Sequence, residues 1–307
     1  MSLTVYPSYY PDFACIASRC RHSCCVGWEI DIDEDSFCRY QAETGAIGKR
    51  LRACIDVDGA PHFRLYEGER CPFLNREGLC DLILSLGEDA LCEICREHPR
   101  FYTVLSDRTE VGLGLCCEEA ARLILTAEDT GLTVEESADE ALDGWDAEKL
   151  AYREDVFALL ADRTLSVSDR AARLAAMAKT AILPTEAAIG LLSSLEILTD
   201  EWRSLLTRWQ PSDGAAFSRY MAEREEEYAR LMRYLAYRYL ADAYDGEDLR
   251  QKTAFLPWTF SLVFSLGSFV YAQKGVFTLE DQIGLLRLFS SEIEYNEDNL
   301  YAILDTL

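Results

Sequence analysis

The spacing of apolar residues differs between the two parts of this chain. From about residue 147 to the end, apolar side chains recur every three or four positions, which is typical of amphipathic helices. Helix-capping residues stand at the breaks between these segments, for example Thr199 and the stretch from Pro211 to Gly214. The pattern predicts an all-helical domain over residues 147–307.

Residues 1–127 have no single period. Residues 28–33 alternate apolar and acidic side chains like a short strand, and residues 101–105 and 110–115 form a candidate hairpin. Helical spacing appears at residues 33–53, 85–94 and 118–126. The expected fold class is mainly α: an irregular cysteine-rich metal-binding N-terminal region (1–127) with a few short strands, an acidic linker (128–146), and the all-α helical domain (147–307).

Two features of the sequence indicate the cellular compartment of the protein. The chain opens on a polar, aromatic stretch without the basic and apolar regions of a signal peptide. Residues 254–273 carry no charge, but they include Pro257, Ser and Thr residues and Gln273, which favours a buried helix over a membrane span. We therefore expect a cytoplasmic protein that does not cross a membrane.

The formal net charge of −24 disfavours nucleic acid as a partner, because phosphate-binding surfaces need clustered Lys and Arg. The same charge favours a basic partner such as a lysine-bearing protein, since it raises the encounter rate. It is also an ordinary means of staying soluble.

The cysteines are all in the first 117 residues, together with the three histidines. In a reducing compartment such density indicates metal binding rather than a disulfide scaffold. The twelve positions are 15, 20, 24, 25, 38, 54, 71, 80, 92, 95, 116 and 117.

The spacings favour an iron–sulfur cluster over zinc. Only Cys92 and Cys95 form the CxxC unit that zinc sites use in pairs, whereas each iron of a cluster needs one protein thiolate and tolerates irregular spacing. Zinc remains the alternative. Cys38 and Cys54 stand apart from the clustered spacings and fit buried small hydrophobic residues best.

Several catalytic signatures are absent from the sequence. It contains no GxGxxG after a strand, no Walker A lysine, no HExxH or GxSxG, and no CxxxCxxC of the radical S-adenosylmethionine type. Any enzymatic chemistry is therefore expected to depend on the cysteine region.

Ordered motifs in the first 125 residues resemble the flagellin lysine-N-methylase family and the broader class of cysteine-rich zinc- or iron-chelating domains. The matching runs are residues 13–28 (FACIASRCRHSCCVGW), 71–74 (CPFL), 78–80 (GLC), 86–91 (LGEDAL), 95–101 (CREHPRF) and 115–118 (LCCE). The resemblance implies methyl transfer from S-adenosylmethionine to lysines of flagellin or a similar protein, with a [4Fe-4S] cluster. It places the metal ligands at Cys15, Cys20, Cys24, Cys25, Cys71, Cys80, Cys95 and Cys117.

Eight candidates exceed the four thiolates of one cluster, so either a second metal binds or some cysteines are structural. Cys92 and Cys116 are extra neighbours of the family pattern. Candidates for catalysis are Glu118, Glu119 and Tyr102, although the pattern favours helix-start carboxylates and a packing residue at these positions. Arg96 and Arg100 are candidates for cofactor binding. The alternative function is a non-catalytic zinc- or iron-binding interaction module or redox sensor.

Overall fold

The computed structural model describes residues 3–135, 142–181 and 185–307. Within these residues the chain forms fourteen α-helices and six short strands, so the mainly α expectation is confirmed. The strands are β1 (Leu3–Pro7), β2 (Ile55–Asp56), β3 (His62–Phe63), β4 (Arg100–Val104), β5 (Arg108–Leu113) and β6 (Leu132–Glu135). The helices are α1 (Glu34–Ala42), α2 (Gly45–Cys54), α3 (Asp81–Leu86), α4 (Glu93–Glu97), α5 (Glu118–Thr126), α6 (Gly144–Ala161), α7 (Val167–Met177), α8 (Thr185–Ser194), α9 (Asp200–Arg208), α10 (Gly214–Tyr220), α11 (Glu226–Leu240), α12 (Gly246–Lys274), α13 (Leu279–Phe289) and α14 (Glu297–Leu304).

The chain divides into two compact units. The cysteine unit comprises Ala14–Phe101 and Cys117–Glu119, and the helical unit comprises Met1–Phe13, Tyr102–Cys116 and Ala120–Leu307. This grouping differs from the predicted division into 1–127, 128–146 and 147–307, because the helical unit also recruits strands from the first 135 residues. Part of the predicted linker, residues 136–141, lies outside the described residues.

A four-stranded sheet of order β4-β5-β1-β6 explains why early residues join the helical unit. Strand β1 runs parallel to β5, with Val5 opposite Glu110, and antiparallel to β6, with Val5 opposite Val134. The predicted hairpin is confirmed as β4 and β5, where the Leu105 N–H donates to the Arg108 carbonyl at 2.8 Å. Strands β1 and β6 were not predicted, because their partners are far away in the sequence.

Helix α12 contains the uncharged segment and runs unbroken through Pro257. The Asp245 side chain caps its first turn by accepting from the N–H groups of Glu247 and Asp248, and Gly275 ends it at a φ of 73°. Among the described helices, α12 is long and apolar enough to span a membrane, but 78% of its most apolar window is buried. Such burial is typical of the core helix of a folded protein.

Several predicted elements in the cysteine unit are wrong in extent. The helix expected at residues 33–53 is two helices, α1 and α2, separated at Gly45, whose φ of +70° suits glycine. The helix expected at 85–94 is replaced by the short helices α3 and α4 on either side of a 3-10 turn. The strand expected at 28–33 is reduced to an isolated bridge between Asp31 and His62.

Candidate metal centre

The eight cysteines of the family pattern all lie in the cysteine unit. Seven are in the segment Ala14–Phe101, and Cys117 joins them because Cys117–Glu119 belongs to the same compact unit. The neighbouring Cys116 belongs to the helical unit. The boundary between the two compact units therefore falls between two cysteines that are adjacent in the sequence.

Four of these thiols, which we call the inner set, lie in or against the apolar core of the cysteine unit: Cys25, Cys71, Cys80 and Cys95. Backbone hydrogen bonds bring their segments together. The Cys71 N–H donates to the Cys25 carbonyl at 2.8 Å, and an isolated bridge joins Leu74 to Cys80. Phe63 and Phe73, both fully buried, fill the core beside them.

Backbone N–H groups point at two of the inner sulfurs. Burial raises the pKa of Cys71 to about 12, while the N–H groups of Phe73 and Leu74 act in the opposite direction. Burial likewise raises the pKa of Cys80, against the N–H groups of residues 83 and 82 at the start of α3. Donors of this kind stabilise a negatively charged sulfur and are characteristic of metal-bound thiolates.

The inner sulfurs also interact with one another. Nearby Cys25 raises the pKa values of Cys71, Cys80 and Cys95, and Cys71 adds to the rise at Cys95. Thiolates at these positions would therefore repel each other. A cation bound among them removes that repulsion.

Cys92, which the sequence set aside as an extra neighbour, is fully buried directly before α4. A hydrogen bond from the Cys95 thiol lowers the pKa of Cys92, and the Cys95 N–H adds to this effect. The same hydrogen bond is the main cause of the raised pKa of Cys95. Cys92 thus supports Cys95 from within the core.

The remaining four thiols, which we call the outer set, lie outside that core: Cys15, Cys20, Cys24 and Cys117. Cys15 and Cys24 are exposed, and the other two are half-buried. A hydrogen bond with Cys25 is the largest cause of the raised pKa of Cys24, and nearby Cys15 and Cys117 raise it further. Burial raises the pKa of Cys20 to about 12, with Cys117 again contributing.

Glu118 holds the loop that carries Cys20. Its carboxylate accepts hydrogen bonds from the Cys20 thiol at 3.0 Å, from the Arg21 N–H at 2.5 Å and from Arg21 Nε at 2.9 Å. His22 contributes its N–H at 3.4 Å and Nδ1 at 3.2 Å. Burial acts to raise the pKa of Glu118, but these donors outweigh it and lower the pKa to about 2. A carboxylate this acidic is a weak proton acceptor, and its contacts suit it to positioning the loop.

The other predicted catalytic and cofactor-binding residues belong to α4, β4 and α5. Arg96 pairs with Glu97 at 3.0 Å, and Arg100 donates to the Arg96 carbonyl at 3.2 Å. Glu119 is half-buried in the first turn of α5. Tyr102 is half-exposed on β4 in the helical unit.

The two cysteines expected to be structural differ in burial. Cys54 is buried as expected, with its sulfur 3.7 Å from the Tyr66 hydroxyl. Cys38 is exposed, so the expectation that it fills the core is wrong. It occupies an outward-facing position of the amphipathic helix α1, whose buried residues are Ser36 and Tyr40.

Arg50 is a supporting residue that sequence reasoning missed. Its guanidinium donates to the Asp81 carboxylate at 2.6 Å and to the Pro72 carbonyl at 2.5 Å, and it lies over the Phe73 ring. It therefore ties together the two ends of the loop from Cys71 to Cys80. Pro72 and Asp81 lie 22 and 31 positions after Arg50 in the sequence. No local pattern connects residues so far apart, so this role of Arg50 could not be predicted from the sequence.

Within the part of the chain that the structure describes, no group of three or more Cys, His, Asp or Glu side chains stands in an arrangement able to hold a metal ion. The donor chemistry nevertheless fits a thiophilic metal: the unit gathers eleven thiols, eight of them from the family pattern, and N–H donors point at two inner sulfurs. In the pairs Cys24–Cys25 and Cys92–Cys95, the hydrogen bond between the two thiols raises the pKa of Cys24 and of Cys95, and these two thiols must lose their protons before they can bind metal.

The fold and site define a mainly helical protein with a compact, cysteine-dense unit. Comparison with known proteins adds a similarity over part of the chain: a family model described as the FliB lysine N-methylase C-terminal domain matches residues 195–307. The resemblance to flagellin lysine-N-methylases inferred from the N-terminal motifs is thereby confirmed, since a separate region of the chain supports it.

Curated relatives agree with this match. The flagellar biosynthetic protein FliU of Salmonella muenchen is 28% identical over 131 residues, which are 40% of this chain and 77% of FliU. The lysine-N-methylases of Salmonella choleraesuis and Salmonella typhimurium are also 28% identical over 131 residues, but these cover only 32% of their length. No solved structure gives a significant match. The names of these relatives support a lysine methyltransferase.

Proposed function

We propose that this protein is a cytoplasmic lysine N-methyltransferase that uses S-adenosylmethionine as its methyl donor. Its substrate is flagellin or a similar lysine-bearing protein, and its cysteine unit holds a [4Fe-4S] cluster. The observation that carries the proposal is the agreement of two distant regions. Residues 195–307 match the lysine N-methylase domain, and the eight cysteines of the family pattern gather in one unit.

The inner set is the part of the cysteine unit best suited to the cluster. It supplies the four thiolates that a cubane requires, with N–H donors to Cys71 and Cys80 and an apolar core around them. Arg70 adds positive charge, since its guanidinium helps to lower the pKa of Cys25. When bound, the cluster would supply positively charged iron that can polarise or orient a polar ligand.

The methyl transfer itself sets requirements for the chain. The target lysine must lose a proton before its nitrogen lone pair attacks the methyl carbon, and the carbon–sulfur bond breaks as the carbon–nitrogen bond forms. The unperturbed lysine pKa of about 10.4 means that desolvation or a base must assist this step. Glu119 and Tyr102 remain the proposed base candidates, with Glu118 assigned to positioning, and Arg96 and Arg100 are proposed to bind the carboxylate of the methyl donor.

The acidic character of the chain suits a protein substrate that presents lysines. A net charge of −24 attracts basic surface segments and accelerates their association at low ionic strength. The flagellar names of the relatives motivate flagellin as the first substrate to test. Methylation should accordingly slow when salt is raised.

The direct test uses anaerobically purified protein with a reconstituted cluster, S-adenosylmethionine labelled in the methyl group, and purified flagellin. We expect label to appear on flagellin lysines, identified by peptide mass spectrometry. A flagellin variant lacking the labelled lysines is the matched control. Absence of transfer by fully loaded protein would overturn the proposal and favour the non-catalytic or redox-sensing module.

A further inference from the structure

We propose that a pocket in the helical unit binds a small organic anion. Arg230 and Arg233 hold its carboxylate or phosphate head group, and a flat apolar body lies against aromatic rings. All residues that line this pocket belong to the helical unit, whereas Arg96 and Arg100 belong to the cysteine unit. The inference goes beyond methyl transfer and concerns a separate ligand.

The pocket is formed around one face of helix α11. This helix supplies the lining residues at positions 230, 233, 234 and 237, which share a face because they are three or four positions apart. Other walls come from Tyr9, which follows β1, and from Phe157 on α6. About 310 Å³ of space lies within these walls, part of it open to solvent, so the body of a ligand can extend outwards.

The guanidinium groups of the two arginines are held in place by backbone oxygens. Arg230 donates to the Leu125 carbonyl at 2.8 Å, and Arg233 Nε donates to the Thr130 carbonyl at 2.7 Å. The guanidinium carbon of Arg233 also lies 3.7 Å from the centre of the Phe157 ring. Each hydrogen bond uses a single guanidinium nitrogen, so other N–H groups of the planar fork can donate to carboxylate or phosphate oxygens.

The charge of these arginines calls for an anion. Both are half-buried, and neither forms an ion pair with a carboxylate within residues 3–135, 142–181 and 185–307. Burial lowers the pKa of Arg233, and the more distant Glu154 and Asp129 offset this only in part. Two neighbouring positive charges repel each other, and a bound anion would neutralise them. A protonated amine would add a third positive charge, so the pocket disfavours the ammonium form of lysine.

The aromatic walls favour a flat apolar body. The hydroxyl of Tyr234 donates to Glu294 at 3.0 Å, and that of Tyr237 donates to the Val5 carbonyl at 2.9 Å. Because these hydroxyls are engaged inside the protein, the two tyrosines offer mainly their rings to a ligand. Apolar walls with a few fixed polar groups are typical of small-molecule sites.

The test is calorimetric titration of the full chain, loaded with its cluster, with three ligands that share a phenyl ring. Benzoate and phenyl phosphate carry the two anionic head groups, and benzylamine carries a positive charge. We expect at least one of the two anions to bind saturably with a Kd of about 1 mM or lower, which is reasonable for ligands of this size. Whichever anion binds more tightly identifies the head group. Benzylamine should not bind.

Arg230→Gln and Arg233→Gln should each weaken binding of the anion by about tenfold, because each removes charged donors. Arg208→Gln is the matched control and should leave the affinity unchanged. Arg208 also donates to a backbone carbonyl, that of Ser204, but it is exposed on α9. The melting temperature of each variant without ligand shows whether it is folded.

Three results would overturn the proposal. They are the absence of saturable binding of both anions to the wild type, equally tight binding of benzylamine, and equal affinities of the Arg230→Gln and Arg208→Gln variants. The comparison of anions with the amine needs only wild-type protein, so it remains valid even if a variant fails to fold. No readout involves methyl transfer, so failure of the proposed activity would leave this result unchanged.

Discussion

Arg21 binds both oxygens of Glu118, through its backbone N–H at 2.5 Å to one and through Nε at 2.9 Å to the other. The pair joins the loop that carries Cys20 to the start of α5, next to Cys117. The Glu118 side chain is 3% exposed, so the interaction is shielded from water on the carboxylate side. Since buried charge-assisted hydrogen bonds are strong, this contact is a main support of the loop that carries Cys20.

Glu118→Gln should weaken the loop while keeping the size of the side chain. The neutral amide accepts more weakly and directs an NH₂ group at donors, so we expect a loss of stability of about 1–3 kcal/mol. Denaturant unfolding of the wild type and the variant measures this loss. Glu119→Gln is the control, and equal effects of the two substitutions would contradict a special role for Glu118.

Cys92 and Cys95 should respond differently to substitution. Cys92→Ala removes a buried acceptor that supports Cys95, so we expect the iron content to remain while the cluster becomes more sensitive to oxygen. Cys95→Ala removes a proposed ligand and should abolish stoichiometric iron. Iron and sulfide analysis with the visible absorption of the cluster checks both, and loss of iron from Cys92→Ala alone would reverse the assignment.

In the helical unit, Arg153 on α6 and Glu110 on β5 form an ion pair whose side chains are 2% and 1% exposed. Arg153→Met leaves the Glu110 carboxylate buried without its partner, and we expect it to cost about 3–5 kcal/mol. Glu110→Gln should also destabilise the protein. The double variant Arg153→Met/Glu110→Gln leaves neither charge without its partner. Denaturant unfolding should therefore show that its free energy of unfolding falls by much less than the sum of the decreases in the two single variants.

Gly114 offers a test of close packing. A Cβ built there would overlap the Tyr295 hydroxyl, so Gly114→Ala must displace the ring or the backbone and should lower the melting temperature. Gly190 is the matched control, because no atom of the described residues lies within 4 Å of a Cβ built there in α8. Gly190→Ala should stabilise the protein by about 0.5–1 kcal/mol. Similar shifts for both variants would show that the contact at Gly114 is unimportant.

Asp146 should contribute to the acid sensitivity of the helical unit. Burial acts to raise its pKa, but hydrogen bonds from Lys149 and from the Ser106 N–H outweigh burial and hold the pKa below its usual value. Its contribution is therefore complete above the unfolded-state pKa of about 3.9 and is lost as pH falls through the lower folded-state pKa. Asp146→Asn should destabilise the protein at pH 7 but have a smaller effect near pH 3, as thermal unfolding at both values would reveal.

The sequence alone determined the features that depend on neighbouring residues. Helical periodicity in the last 160 residues predicted the all-α region, and residues 118–126 were predicted as a helix with the bounds that α5 has. The hairpin of β4 and β5 was also predictable, because its strands are joined by a short turn. Cysteine density likewise pointed to the N-terminal region, since composition needs no knowledge of the fold.

Only the tertiary structure decided which distant residues share a unit. Strand β1 lies beside β5 and β6, more than 100 positions away, and Cys117 joins the cysteine unit while Cys116 does not. Arg50 and Glu118 act through contacts with residues 22 to 98 positions away. The division of the thiols into inner and outer sets follows from burial in a common core, which a pattern along the chain does not encode because it arises from packing between segments.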